Sequence, residues 1–272
     1  MNCIEIKDLT FKYDDLVCFE HLTINFKFSS FYILSGVNGC GKSTLLKIIS
    51  GKKLSEYDKV KVLNHDPFRN TSINHHICFI GNEWGTTSVP FTGYSIPICS
   101  SLKVKEMMVS LKNKYPERNK ELIDVLDINV NWTMNSISEG QRKRVQLYLG
   151  MIQPFKICLL DEITVNLDLL IKYKFIKYLK KLTTEQEVCV IYATHIFDDL
   201  DKYYTDLIYI DSKKKIDIKK KNEIEDSTLY QYVLDRFKKE DSCVEFVGTK
   251  DKILKNAGGY SDGVISENIY KT

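Results

Sequence analysis

The sequence lacks any apolar run long enough to cross a membrane as a helix, because none approaches the roughly eighteen residues that a span needs. Its first residues, MNCIEIKDLTFKY, have the pattern of a strand and not of a secretory signal. The sequence therefore predicts a soluble protein without a membrane segment of its own. Any role at a membrane would need a partner.

Cysteine pairs at metal-binding spacing are also absent. The eight cysteines are scattered, and no two of them form a Cys-x-x-Cys pair. This pattern argues against a zinc site and against a disulfide framework. Unpaired cysteines fit a reducing compartment, so we expect a cytoplasmic protein.

A strong charge of one sign is missing as well. The net charge of +3 and the isoelectric point near 8.3 are too mild to indicate direct binding of nucleic acid. There is no internal repeat and no low-complexity linker. What the chain does have is 272 residues, 43% of them hydrophobic, which is enough for a substantial core in one large or two small domains.

Short apolar runs alternate with helical patterns along the chain. The runs FYILSG, KICLL and VCVIYA suit strands buried on both faces, whereas CIEIKDLTFKY and LTINFKF alternate as half-buried strands do. Helical spacing marks LKVKEMMVSLKN, RNKELIDVLDI and EGQRKRVQLYLGMI, while DLIYIDSKKKIDI predicts a hairpin and STLYQYVLDRFKKE an amphipathic helix. The pattern predicts an α/β layered fold with a mostly parallel sheet and a helical insertion.

One glycine-rich segment points to phosphate binding. GVNGCGKST matches the pattern G-x-x-x-x-G-K-[ST], with a predicted strand before it and a helix after it. Its glycines let backbone amides turn toward phosphate oxygens, and the helix adds the positive end of its dipole. We expect Lys42 to reach the β- and γ-phosphates and Ser43 to bind Mg²⁺. Cys40 lies inside the loop, either as a redox-sensitive group or, as we favour, simply as a small residue.

Two adjacent carboxylates follow the apolar run ICLL. We expect Asp161 to hold Mg²⁺, through water, and Glu162 to orient and polarise the attacking water. Two carboxylates at a strand end can also form a solvated turn. A phosphate loop in the same chain favours the functional interpretation.

The order of these motifs resembles the nucleotide-binding domain of the ATP-binding cassette (ABC) superfamily. After the phosphate loop come ISEGQ with RKRV, then ICLLDE, VNLD and YATH. Gln141 precedes Asp161 by 20 residues and His195 follows it by 34, as the family's spacing requires. The resemblance covers roughly residues 1–220. It implies the following division of the chain: a P-loop parallel-sheet core with an antiparallel β subdomain over 1–96 and 153–225, an inserted helical (signature) subdomain over 97–152, and a C-terminal helix and tail over 226–272.

A narrower resemblance is carried by NEWG, SIPICSSL, GQRKRVQLYLGMIQPFKICLLDEITVNLD and IYATHIFDDLD. These segments are similar to the soluble single-cassette ABC proteins of subfamily I. Within that group they most resemble the ABC ATPases associated with the carbon-catabolite-repression–Not transcription and deadenylation complex. This resemblance implies a protein partner of that kind and leaves a nuclear location open.

The family resemblance also implies an ATP sandwich. In ABC domains two cassettes pack head to tail, and the signature helix of one closes over nucleotide held by the other. On that basis Ser138, Gly140 and Gln141 face the γ-phosphate bound to the partner copy, although SISEG would serve equally as an ordinary Ser-capped helix start. The nucleotide contacts implied on the other side of the site are Gly36, Asn38, Gly39, Cys40, Gly41, Lys42, Ser43 and Thr44.

Three single residues match family positions. Tyr13 matches the aromatic residue that stacks on adenine, although a lone Tyr is more often a half-buried strand residue. Asp168 matches a loop that contacts the other cassette, and it also suits the N-cap of the helix that follows. His195 ends a predicted strand and matches the histidine that contacts the γ-phosphate.

Three residues depart from the family pattern. Glu139 replaces the first glycine of the signature, and its charge repels phosphate unless the side chain points away, so we expect slow turnover. Asn82 or Glu83 stands where the family has a magnesium-binding Gln, and Glu83 can also ligate Mg²⁺. Ile163 replaces a usual proline, with no effect that we can derive.

The function expected from the sequence is ATP hydrolysis to ADP and phosphate, with Lys42, Glu162 and His195 as catalytic residues and ATP and Mg²⁺ as ligands. We expect a homodimer that forms on ATP and is coupled to a protein partner. Two alternatives stay open: a detached ATPase subunit of a membrane transporter, and a non-catalytic scaffold that binds ATP as a structural ligand.

Overall fold

The computed structural model describes residues 1–14, 16–81, 86–88, 95–97, 101–164, 167–224 and 227–242. The chain divides into two compact units, Met1–Phe237 and Lys238–Thr272. Of the second unit, only the end of the last helix is described. Across these described ranges, no helix combines the length and the apolar character that a membrane crossing requires.

Strands and helices alternate through the chain. The strands are β1 (Asn2–Tyr13), β2 (Leu16–Lys27), β3 (Phe31–Gly36), β4 (Val60–Val62), β5 (Ile77–Ile80), β6 (Thr86–Ser88), β7 (Ser95–Pro97), β8 (Ile157–Asp161), β9 (Cys189–Ala193), β10 (Asp206–Ile210) and β11 (Ile216–Lys220). The α-helices are α1 (Lys42–Ile49), α2 (Val109–Lys114), α3 (Pro116–Leu126), α4 (Glu139–Met151), α5 (Leu169–Glu185) and α6 (Leu229–Ser242). Short 3₁₀ helices occupy Thr71–His76, Val104–Glu106, Leu200–Lys202 and Lys221–Glu223.

A six-stranded sheet forms the centre of the first unit, in the order β11-β10-β3-β9-β8-β5. All its neighbouring strands are parallel except the β10–β11 hairpin. Every residue of β3, β8 and β9 is buried, which is why these strands have continuous apolar sequences. The predicted α/β fold with a mostly parallel sheet and a hairpin is confirmed.

The two faces of this sheet carry separate hydrophobic cores. Successive side chains point to opposite faces, so in β3 Ile33 belongs to one core and Leu34 to the other. Helices α3, α4 and α5 cover this face of the sheet and contribute residues such as Leu122, Tyr148 and Phe175 to the first core. The second core is formed by α1 and by the antiparallel sheet β2-β1-β4. Burial on both faces holds the parallel strands in one register.

The helical region between β7 and β8 is anchored through a buried arginine. Arg118 of α3 donates from Nε to the Met151 carbonyl oxygen at 2.7 Å and from Nη1 to Gln186 Oε1 at 3.0 Å. Its guanidinium also lies 4.9 Å from the ring centre of Phe155. One side chain thus joins α3 to the end of α4 and to the end of α5.

One predicted helix is only partly confirmed. The segment LKVKEMMVSLKN forms a 3₁₀ turn and then the short helix α2, because Met108 between them adopts the left-handed conformation with φ 52°. A left-handed residue cannot continue an α-helix. The Val104 N–H instead donates to the Trp132 carbonyl oxygen at 3.0 Å, so pairing with a distant segment overrides the local helical spacing.

Two buried tyrosines differ in their hydrogen bonding, so we expect their replacement by phenylalanine to affect stability differently. The Tyr192 hydroxyl is hydrogen-bonded to Thr164, which is also buried, whereas the buried Tyr178 hydroxyl has no hydrogen-bond partner among the described residues. We expect Tyr192→Phe to lower the free energy of unfolding by about 1–2 kcal/mol, because the Thr164 hydroxyl loses its partner. We expect Tyr178→Phe to leave that free energy unchanged or to raise it slightly. Urea unfolding followed by circular dichroism measures both variants, and equal losses would contradict the assignment of these hydrogen bonds.

Candidate nucleotide site

The phosphate loop leaves the sheet at the carboxyl end of β3. A Cβ atom at Gly36 would lie 2.2 Å from the Ile210 carbonyl oxygen, so only glycine fits this close approach to β10. Helix α1 begins at Lys42, and the residue at its N-cap is Gly41, which has no side chain to cap the first amides. Those amides therefore suit an anionic ligand at a helix N-terminus.

Lys42 lies across the loop that precedes it. The side chain is buried, and its Nζ donates to the carbonyl oxygens of Gly36 at 2.9 Å and Val37 at 3.3 Å. Cys40, in the same loop, is also buried, and burial raises the pKa of its thiol. The loop thus holds a buried ammonium group beside a thiol that stays protonated at neutral pH.

Asp161 and Ser43 are brought together, as the sequence analysis expected. Asp161 is the last residue of β8 and is buried, and its carboxylate is hydrogen-bonded to the Ser43 hydroxyl. Burial raises the pKa of Asp161, while the bond from Ser43 and the charges of Lys47 and Lys42 oppose that rise. A buried carboxylate beside a hydroxyl is a donor set that suits Mg²⁺, whose other positions are filled by phosphate oxygens and water.

Glu162 and His195 form the next pair. Glu162 has the left-handed φ of 51°, and its N–H donates to the Ala193 carbonyl oxygen at 3.0 Å. Its Oε1 lies 3.2 Å from His195 Nε2, just beyond the end of β9. Burial and the charge of Lys42 lower the pKa of His195, and Glu162 acts in the opposite direction. The imidazole is therefore neutral at neutral pH and retains both a donor and an acceptor nitrogen.

Helix α4 begins with a reciprocal capping box. The Ser138 Oγ accepts a hydrogen bond from the Gln141 N–H at 3.2 Å, and the Ser138 N–H donates to Gln141 Oε1 at 3.0 Å. Ser138 and Glu139 are exposed, whereas most of the helix behind them is buried. The structural alternative, an ordinary Ser-capped helix, is thus realised. It is compatible with ligand binding, because the Ser138 hydroxyl hydrogen can still donate.

Comparison with known proteins identifies the family. A family model described as "ABC transporter" matches residues 19–165. The chain is 37% identical over 224 residues to ABC transporter I family member 20 of Arabidopsis thaliana, covering 78% of this chain and 68% of that one. It is 34% identical over 231 residues to CCR4-associated factor 16 of Saccharomyces cerevisiae, covering 79% and 77%. The chain belongs to the ABC family. The resemblance inferred from its motifs is confirmed.

Solved structures show the same fold. A dimeric bacterial ABC transporter cassette is similar with a TM-score of 0.64 and 22% identity, covering 80% of this chain and 98% of that one. A post-hydrolysis dimer bound to ADP and phosphate has a TM-score of 0.63 and 22% identity, with the same coverage. ABC cassettes bind and hydrolyse ATP with Mg²⁺, so this chain is an ATP-binding cassette with an ATPase fold.

Two further family positions in this ABC cassette have local partners. Tyr13 ends β1 half-buried, with the Lys53 Nζ at 4.3 Å from its ring centre and the Phe11 ring edge-on at 5.2 Å between centroids. The Asp168 side chain accepts a hydrogen bond from the Ile171 N–H at 3.0 Å, so it is an N-cap of α5. One face of Tyr13 is therefore covered by an ammonium group that adenine would have to displace or avoid.

The remaining positions are distributed as follows. Asn38 and Gly39 are exposed in the phosphate loop, and Thr44 is half-buried in the first turn of α1. Ile163 is fully buried in the first core, so the residue that replaces the usual proline packs as an ordinary apolar side chain. The choice between Asn82 and Glu83 lies outside the described residues.

Lys143 is a residue of this ABC cassette that sequence reasoning missed. It is buried on α4, and its Nζ donates to the Gly81 carbonyl oxygen at 3.3 Å, where Gln146 Nε2 also donates at 2.8 Å. Burial lowers the pKa of Lys143 to about 8, and the charges of Asp161 and Glu139 oppose that shift. The signature helix is thereby joined to the end of β5. The Glu139–Lys143 spacing of four residues was the available signal, but RKR suggested only a basic helix start.

The buried thiol in the loop gives a testable expectation. Because burial raises the pKa of Cys40, we expect N-ethylmaleimide to leave it unmodified in the folded protein at neutral pH and to modify it in denaturant. Mass spectrometry of the peptide containing Cys40 measures both conditions. Rapid labelling of the folded protein would instead support the redox-sensitive loop that the sequence left open.

Proposed function

We propose that this ABC cassette works as an ATP sandwich: two copies close head to tail on ATP, hydrolyse it slowly and transmit opening and closing to a protein partner. The observation that carries the proposal is the combination, on one chain, of two separate groups of residues that each suit an anion. The phosphate loop with Lys42, Ser43, Asp161, Glu162 and His195 forms one, and the exposed N-terminus of α4 forms the other.

The first feature supplies the groups that hydrolysis requires. Lys42 and the amides at the start of α1 would bind the β- and γ-phosphates, and Ser43 and Asp161 would hold Mg²⁺. Mg²⁺ would neutralise charge on the phosphate oxygens. Glu162 would accept a proton from the water whose oxygen attacks the γ-phosphorus, as the bond to the bridging oxygen of ADP breaks. His195, neutral and next to Glu162, would donate to a γ-phosphate oxygen.

The second feature would act on the ATP of the other copy. Ser138 with its hydroxyl hydrogen, the Gly140 amide and Gln141 would face that γ-phosphate, and Asp168 would lie at the contact between copies. A helix N-terminus contributes only about 0.3–2 kcal/mol toward an anion, but the sandwich uses two of them. The charge of Glu139 raises the pKa of Lys143, one turn along α4, and the proposal requires that the Glu139 carboxylate point along the helix and away from the phosphate.

A protein partner is supported by similarity to CCR4-associated factor 16, whose name states an association with CCR4. We propose that the partner of this chain is a protein of a transcription or deadenylation complex. A cytoplasmic or nuclear location would suit such a partner. Affinity purification with and without MgATP, read by mass spectrometry, tests this part of the proposal. Recovery of the same proteins in both conditions would contradict coupling to ATP.

Replacement of the proposed base gives the main prediction. We expect Glu162→Gln to lower ATP turnover about 100-fold or more and to trap an ATP-bound dimer, because the carboxylate that accepts the proton is gone while the phosphate contacts remain. Phosphate release and sedimentation velocity with MgATP measure the two effects. Equal phosphate release by the wild type and the variant would favour the non-catalytic scaffold. A variant that stays monomeric with MgATP would contradict the sandwich.

A second substitution separates the two roles of Ser138. In the Glu162→Gln background we expect Ser138→Asp to keep α4 capped, because Asp is as good an N-cap as Ser, and to abolish the dimer, because a carboxylate would face the γ-phosphate. Sedimentation velocity with MgATP again measures the outcome, and thermal unfolding checks that the helix is intact. If the double variant still forms the dimer, Ser138 is a cap and nothing more.

The second candidate function is the ATPase subunit of a membrane transporter. It is favoured by the matching family model and by the Arabidopsis relatives, which are described as ABC transporters. Purification from detergent extracts of membranes distinguishes the two candidates. Recovery of a polytopic membrane protein at equal stoichiometry would favour the transporter, and recovery of soluble proteins alone would favour the first proposal.

A further inference from the structure

The turn of the β10–β11 hairpin reaches the phosphate loop. Three consecutive lysines occupy this turn, and the middle one, Lys214, is half-buried whereas Lys213 and Lys215 are exposed. The Lys214 Nζ donates a hydrogen bond to the carbonyl oxygen of Gly39 in the middle of the loop. This contact joins residues far apart in sequence, and no motif of the family pattern considered above includes Lys214.

The backbone of the turn is held by two hydrogen bonds to Asp211. The Lys214 N–H donates to the Asp211 carbonyl oxygen at 3.0 Å, and the Lys215 N–H donates to Asp211 Oδ1 at 2.8 Å. Lys214 itself has a φ of 65°, the left-handed region that favours Gly or Asn. A lysine is less suited to this conformation than Gly or Asn, so local backbone preference does not explain its presence here.

The peptide that Lys214 holds follows a glycine, the residue type with the widest choice of backbone conformations. Gly39 has a φ of 76°, and as a glycine it has no side chain that restricts its backbone to one conformation, so the orientation of the Gly39–Cys40 peptide depends on its hydrogen bonds. The N–H of this peptide donates to the Val37 carbonyl oxygen at 3.2 Å, and its carbonyl accepts from Lys214. Both ends of the peptide are thus held, one from inside the loop and one from the hairpin.

The contact matters because of the charge that the loop must bind. A carbonyl oxygen turned toward a phosphate repels it, whereas an amide attracts it. In this loop the carbonyls of Gly36 and Val37 accept from Lys42, and that of Gly39 accepts from Lys214. Two lysines therefore donate hydrogen bonds to three carbonyl oxygens of this loop. Its amides are the groups that would bind phosphate.

We propose that Lys214 is a positioning residue for nucleotide binding: its ammonium group holds the Gly39 carbonyl away from the phosphates and so preorganises the loop. The proposal rests on ATP binding at the phosphate loop and is independent of the proposed dimer, because MgADP binding to a single copy tests it.

The decisive variant is Lys214→Asn. Asn suits the left-handed conformation but cannot reach Gly39, so we expect thermal stability to be equal or higher while MgADP and MgATP bind roughly threefold to tenfold more weakly. We expect KM for ATP to rise by a similar factor with kcat nearly unchanged. Displacement of a fluorescent nucleotide, steady-state phosphate release and thermal unfolding give the three readouts.

Matched variants on the same turn control for charge alone. Lys213→Asn and Lys215→Asn remove the same charge without the contact, and we expect both to bind MgADP as the wild type does. Lys214→Arg keeps a donor and should restore binding to within about twofold.

Three results would overturn the proposal: wild-type affinity in Lys214→Asn, equal weakening in all three asparagine variants, or failure of Lys214→Arg to restore binding. Weakened binding in Lys214→Asn alone, without loss of thermal stability, would support it.

Discussion

The site depends on one constraint, the common register of buried parallel strands. Because β3, β9 and β8 pair in parallel, their carboxyl ends meet at one edge, with Asp161 opposite Ala193 and Gly36 opposite Ile210. Residues from distant parts of the chain are thereby placed within hydrogen-bonding distance. A shift of a single residue would turn every side chain of a strand to the opposite face, and the two cores that cover the sheet prevent it.

Charge is distributed around this edge in a way that suits an anionic ligand. Lys42 is buried against the loop, Asp161 is buried against Ser43, and Glu162 contacts a histidine that is neutral at neutral pH. Each of these groups has a partner that fixes its position at the edge of the sheet, which is the kind of ordering that preorganised sites use. Groups held in this way stabilise a transition state more effectively than groups that must first be ordered.

Helix α4 contacts this edge of the sheet through its middle, and its own N-terminus is the second feature that suits an anion. Lys143 and Gln146 both bond to the carbonyl at the end of β5, and the same helix begins at Ser138 with a complete capping box. In the proposed sandwich, the start of α4 contacts the ATP that is bound to the other copy. A displacement of α4 caused by that ATP would also move the end of β5 in the chain that α4 belongs to. The coupling would pass through a single helix, α4.

The sequence alone determined the buried parallel strands, the phosphate loop and the carboxylate pair, because continuous apolar runs and closely spaced motifs are local signals. It did not determine the break at Met108, where pairing of Val104 with Trp132 outweighs helical spacing, or the contacts that Lys53, Lys143 and Lys214 make. From the sequence alone, a lysine is expected to be a solvent-exposed charge. Only the tertiary structure decides which lysine contacts a carbonyl oxygen or an aromatic ring, because those partners lie on strands and loops that are distant along the chain.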